Sequence, residues 1–239
     1  MNAVSADGGR TRPVAHAEGA VMTFRTSFLT TVALTVTVAF VAVSGPTLEG
    51  QAARDKAKPE LFQEQAPATF KASFDTSKGT FVVDARRDWA PGGADRFYNL
   101  VKGGLFDENR FFYVNNKVAL FGVNGDPMVA KPWLYAKIPN DKTRVQSNVT
   151  GSVSLAQSNG RKTQTQVCLE DCSSMDPLNT PFGMVSSGMN VLERLYSGYG
   201  EMFPTGKAPS MSHMLQGGNA FLEKTYPLMD YINTATIVP

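Results

Sequence analysis

Two cysteines, two histidines and no basic run leave this 239-residue chain with little of the usual catalytic equipment. His16 and His213 are the only imidazoles, and His16 lies ahead of the part that should fold. A Ser-His or Cys-His nucleophile would therefore depend on one His in a Met- and Ser-rich loop. A zinc site is short of ligands in the same way, because Cys168, Cys172 and His213 would still need a carboxylate. No metal and no cofactor is expected. The net charge is +2, from 23 Lys and Arg against 21 Asp and Glu spread along the chain, which is too little for a nucleic-acid surface. Neither a P-loop nor a dinucleotide fingerprint occurs.

The apolar run at residues 28–43 follows Arg25 and is close to the length of a secretory h-region. It ends in Ser44-Gly45-Pro46, with a second cleavage zone at Gly50-Gln51-Ala52-Ala53. It is shorter than the ~20 residues a comfortable membrane span needs. The reading is export to a periplasmic or other extracytoplasmic space, with membrane attachment only if the segment stays uncleaved. Residues 1–21 are polar and rich in Gly and Ala, so Met22 is a candidate translation start. Residues 1–50 then form an extension and signal peptide, 51–67 a charged, Pro-containing tether, and 68–239 a single folded domain. A hydrophobic content of 42% suffices for one core. Asn148-Val149-Thr150 is a glycosylation sequon, relevant only in a eukaryotic secretory pathway.

Periodicity divides the domain. Residues 70–74 and 80–85 alternate about a Ser77-Lys78-Gly79 turn and predict a hairpin. Pro91 suits a first helical position, Phe97, Leu100 and Val101 make an i, i+3, i+4 stripe, and Gly103-Gly104 stops the helix. Residues 118–121 and 151–155 are short strands, 189–196 a second helix, and Thr236-Ile237-Val238 a closing strand. The fold class that follows is mainly β, a closed antiparallel barrel capped by two helices.

Several blocks in a fixed order resemble the cyclophilin-type peptidyl-prolyl isomerases, which implies an eight-stranded barrel. They run from Thr76-Ser77-Lys78-Gly79-Thr80 through Gly104-Leu105-Phe106-Asp107, Phe111-Phe112-Tyr113-Val114 and Asn124-Gly125-Asp126-Pro127. Gly151-Ser152-Val153-Ser154-Leu155-Ala156, Thr165-Gln166-Val167 and Pro181-Phe182-Gly183 follow. The resemblance implies rotation of X-Pro bonds in polypeptides and assistance to folding, without nucleophile, metal or cofactor. The barrier, about 20 kcal/mol, comes from the amide's partial double-bond character. An apolar pocket grips the proline ring while an Arg donates to the amide as resonance is lost, an interaction stronger in the transition state than in the ground state.

Carried over residue by residue, the pattern is uneven. Tyr113 stands at the Arg position, and Tyr lacks both the fixed charge and the forked donors of guanidinium. The implied substrate-binding positions are Phe111, Leu120, Phe121, Ala156, Gln157, Gln166, Cys168, Met175 and Asn179. Leu120 falls where a Gln is expected, Cys168 replaces an aromatic, Met175 lies near a pocket Leu, and Asn179 near a His. Two functions stay open: an exported isomerase of weakened activity, and an inactive chaperone or subunit of a larger extracytoplasmic complex. Residues 197–228 exceed a minimal cyclophilin and read as a Gly- and Pro-rich surface loop with a short helix at 219–226, a partner-binding role being the alternative. In an oxidising compartment, a turn between Cys168 and Cys172 favours a disulfide.

Overall fold

The computed structural model describes residues 48–142, 145–157 and 160–239; the apolar run at 28–43 and Met22 lie outside the described residues. No helix among the described residues is long and apolar enough to cross a membrane.

The hairpin forms as the alternation predicts. In β1 (Thr69–Thr76) Phe70, Ala72, Phe74 and Thr76 are buried, and in β2 (Gly79–Arg86) Phe81, Val83 and Ala85. Thr76 pairs with Gly79 across the two-residue turn, and Gly79 takes φ +119°, a region that disfavours side chains. The Thr76 hydroxyl donates to the Gly79 carbonyl at 2.6 Å and accepts from the Lys78 amide at 3.1 Å. Helix α2 (Pro91–Lys102) buries Ala94, Phe97, Leu100 and Val101, and the Gly103 amide closes it on the Asn99 carbonyl. Phe97 meets Phe182 at 4.7 Å between ring centroids, and Phe74 stacks on Phe81 at 4.8 Å. Each such ring, taken fully from water, stabilises the fold by about 1.5–3 kcal/mol.

The other strands are β3 (Tyr113–Val114), β4 (Val118–Phe121), β5 (Ser152–Leu155), β6 (Thr165–Cys168), β7 (Pro181–Ser187) and β8 (Ile232–Val238). All pair antiparallel in the order β3-β4-β6-β5-β7-β2-β1-β8. The ring is less complete than the sequence predicts. β3 is two residues long, and the chain ahead of it meets the chain entering β8 through the isolated bridge Arg110↔Tyr231 and two flanking hydrogen bonds, not a ladder. The result is eight strands curled into a half-barrel.

Four further helices surround it: α1 (Leu48–Lys56), α3 (Pro127–Trp133), α4 (Met189–Leu192), shorter than predicted, and α5 (Met211–Thr225). Asp126 caps α3 by accepting the Met128 amide. The stretch expected to be a tether is docked instead. Trp133 Nε1 donates to the Lys56 carbonyl, Phe62 packs on Trp133 at 5.4 Å, and Asn99 exchanges two hydrogen bonds with the Glu64 backbone. A side chain at Gly103 would lie 2.1 Å from the Phe62 ring, so a glycine is needed there.

Candidate functional site

The outer face of β3, β4, β6 and β5 carries one cross-strand row: Tyr113 faces Leu120, Leu120 faces Gln166, and Gln166 faces Ser154. Val118 and Cys168 form the next row. Strand alternation sends the intervening Ala119, Phe121 and Val167 into the barrel, where all three are fully buried. Two expected groove residues therefore belong to the core. Phe121 cannot share a face with Leu120, and the Phe111 ring packs on Phe121 at 5.5 Å. Phe111 escapes simple alternation with Tyr113 because it precedes β3, its amide held by the Asp230 carbonyl.

The β6 side is a connected floor. Asn179, buried, accepts the Gln157 amide at 3.0 Å and donates to Gln166 Oε1 at 3.4 Å. Gln166 Nε2 donates to Met175 Sδ at 3.2 Å and to Cys168 Sγ at 3.5 Å. Asn148 ties the Asn179 carbonyl to Asp176, which also accepts from Ser147. Ala156 is buried beside Gln157, its amide bonded to the Gln164 carbonyl. Beyond Gln157, fully buried Arg161 pairs with Asp141 at 2.7 Å, and Asp141 accepts the Gly92 and Gly93 amides at the start of α2. The structure thus brings Gln157, Gln166, Cys168, Met175 and Asn179 together, with Ala156 next to Gln157 in the chain.

On the β3 side the chain covers itself. The Tyr113 hydroxyl donates to Glu201 Oε1 at 2.7 Å and accepts from Asn115 Nδ2 at 2.9 Å. Burial first, and the Glu201 carboxylate second, push its phenol up to about 12. Tyr113 and Leu120 pack against an apolar cluster built on Phe112, Met214, Leu222 and Met229. Residues 197–228 are therefore not a free surface loop. α5 starts on a Ser210 cap, its longer course breaking at Gly218, and the Asn219 amide bonds the Gly125 carbonyl. Gly125 must be glycine here, since a Cβ would lie 2.2 Å from Asn219. Arg110 is engaged away from the row, paired with Glu223 and lying over Tyr231. Glu201 and Phe112 were not foreseen: Glu201 carries no local signal, and Phe112 reads as one of two equivalent aromatics.

The expected disulfide is not formed. Cys168 and Cys172 are both buried free thiols, packed with Val118. The Cys172 thiol packs in one buried cluster with Cys168 and lies within hydrogen-bonding distance of the Lys117 carbonyl at 3.4 Å and the Glu170 carbonyl at 3.5 Å. Burial, and then the neighbouring sulfur, push it up to about 12. The turn brings the pair together as expected, but each sulfur finds a hydrogen-bonding partner instead of a covalent one.

A family model described as cyclophilin type peptidyl-prolyl cis-trans isomerase/CLD matches residues 69–216. The chain belongs to this family. No curated protein matches the sequence. Among solved structures, a cyclophilin type peptidyl-prolyl cis-trans isomerase of Cryptosporidium parvum is similar, with 12% identity over 72% of this chain and 98% of that one, and a TM-score of 0.51. At that identity the likeness shows the cyclophilin fold alone. The family match covers the hairpin, the Tyr113–Leu120–Gln166 row and the sulfur-lined floor, and it reaches into α5.

Proposed function

We propose that this cyclophilin is an exported isomerase of proline-containing polypeptides whose catalysis is weakened, Tyr113 standing where the family places its Arg. The observation that carries the reading is the position and engagement of Tyr113. It shares a row with Leu120 and Gln166, and its hydroxyl is committed to Glu201 and Asn115. A neutral phenol already donating to a carboxylate has no proton left for a prolyl amide losing its resonance. Loss of a donor of that kind costs roughly 2.7–4 kcal/mol, or about a hundredfold to a thousandfold in rate. The floor from Gln157 to Asn179 supports continued binding of an extended peptide. Export rests on the Arg25-led apolar run, and proteolytic mapping of the N-terminus after expression with a translocation system tests it.

The decisive experiment is kcat/KM for a Pro-containing peptide with the wild type, with Tyr113→Arg, and with the family's Arg-to-Gln segment replacing residues 113–120. Slow wild-type turnover, little recovery by Tyr113→Arg and large recovery by the segment are expected, because a restored donor works only on a substrate held near productive geometry. Full-strength turnover by the wild type would overturn the reading.

A second reading, a non-catalytic binding subunit, draws on the apolar packing of residues 197–228 against Tyr113 and Leu120. Tight retention of a proline-containing peptide or a cyclosporin-type ligand, with no isomerisation by any of the three proteins, favours it.

A further inference from the structure

The floor of the groove gives the two cysteines neighbours that isomerase chemistry does not use. β6 ends at Cys168, the chain turns through Leu169-Glu170-Asp171, and Cys172 caps the 3₁₀ turn Ser173–Met175. That path gathers three sulfurs around one carboxamide. Gln166 Nε2 reaches Met175 Sδ at 3.2 Å and Cys168 Sγ at 3.5 Å, and Cys168 and Cys172 share one buried cluster against which Met175 packs.

We propose that Cys168, Cys172 and Met175 form a binding site for a soft monovalent cation of the copper(I) class, held by two thiolates and one thioether.

Donor type decides the class of ion. Thiolate and thioether ligands select copper(I), whereas carboxylate and carbonyl oxygens suit magnesium, calcium and manganese. The nearest carboxylates are not available as hard ligands. Glu170 and Asp171 are exposed, with the Asp171 carboxylate bonded to the Ser173 amide, and Asp176 is bonded to Ser147 and Asn148. Zinc requires a tetrahedral set of four. Met175 packs against the cluster that holds both cysteines, so its thioether is the third ligand. His213, the imidazole of the folded domain, lies in the apolar cluster on the β3 side, beside Phe203 and Phe221.

The surroundings fit a dry, low-coordinate ion. Cys168 and Cys172 are 0% and 1% exposed, while half-buried Met175 gives the sulfurs their edge toward solvent and a route for ligand exchange. Binding replaces two S–H bonds with two S–Cu bonds, releasing two protons and leaving a complex of charge −1. The Gln166 amide already donates toward Cys168, which favours the anionic sulfur that binding creates there. The site does not depend on whether the protein isomerises proline bonds.

The test uses the full chain, reduced and free of oxygen, titrated with copper(I)-acetonitrile against bicinchoninate as a competing chelator. One copper(I) per chain is expected to leave the chelator, with an X-ray absorption spectrum showing sulfur neighbours alone. Cys172→Ser should weaken retention by at least ~10–100-fold, the scale of even indirect disturbance of a metal site. Met175→Leu, a volume-conserving change at a half-buried position, should lower the sulfur count from three to two. No withdrawal of copper(I) by the wild type overturns the proposal, as does an unchanged sulfur count in Met175→Leu. Retention of one equivalent by a folded Cys168→Ser, Cys172→Ser double variant, or preference of the wild type for zinc(II) over copper(I), does so equally.

Discussion

The two sides of the groove are held by different physics. The β6 side is a hydrogen-bond network of short side chains, in which buried Asn179 joins Gln157 to Gln166 and Asn148 joins Asn179 to Asp176. The β3 side is an apolar contact between distant parts of the chain, Phe112 against Met214, Leu222 and Met229, with Tyr113 tied to Glu201 at its margin. A polar network fixes directions and tolerates little change, whereas an apolar cover fixes only proximity. Recognition of a peptide backbone suits the first side. Loss of a catalytic donor can persist on the second, because the cover needs shape rather than chemistry.

The largest effect that could break this distinction comes from Phe112→Ala. Phe112 is 2% exposed, and truncating a buried Phe costs about 3–5 kcal/mol. Hydrogen exchange is expected to show the loss first in residues 199–228, while amides of β1, β2 and β7 keep their protection. Equal loss in both would mean that cover and barrel are one cooperative unit, and the two sides would not differ as argued.

A smaller effect sharpens the other side. Asn179→Ala removes the acceptor of the Gln157 amide and the donor to Gln166, leaving buried groups unpaired at a cost of about 1–3 kcal/mol. Denaturant unfolding should register that loss with the exchange of residues 199–228 unchanged. A loss within experimental error would show that the floor does not hold itself together.

This division also marks what could be read in advance. The hairpin and α2 follow from local periodicity and turn chemistry, whose signals lie within a few residues of each other, whereas Tyr113, Leu120 and Gln166 were singled out by the resemblance and their common row is a cross-strand pairing. The contacts of Gln166 with Met175 and Asn179 join residues that only the resemblance had singled out. Phe121 was misplaced although alternation alone excludes it from the face of Leu120, because a motif match is indifferent to sheet parity. Phe111 could not be placed by alternation, since it enters from outside a two-residue strand. The cover was illegible for a different reason. Its Gly and Pro content signals a loop, while its stability comes from pairing Phe112 with Met214 across a separation no local pattern reports. The docking of residues 48–67 was missed likewise, since charged composition suggests a tether and the contacts of Phe62 with Trp133 are long-range.

The smallest expected effect tests the seam between the two sides through pH. The Tyr113 phenol is pushed from an ordinary value of 10.0 up to about 12, first by burial and then by the Glu201 carboxylate. A raised value means that the fold favours the neutral phenol, so the unfolded chain loses its proton first. Stability from this group is therefore complete below about pH 10 and falls as pH rises toward 12. Because the side chain is only partly buried, solvent screens the interaction, and the decline should be shallower than the full shift would give. Tyr226, in the same cluster, is also raised by burial, so some slope must remain without Tyr113. Melting temperatures of the wild type and Tyr113→Phe should thus differ most near pH 9 and converge between pH 10 and 12. Glu201→Gln should shift that convergence only slightly downward, because burial is the larger cause. Parallel curves across the whole range would show that Tyr113 is not held at the seam, and the commitment of its hydroxyl to Glu201, on which the weakened catalysis rests, would fall with it.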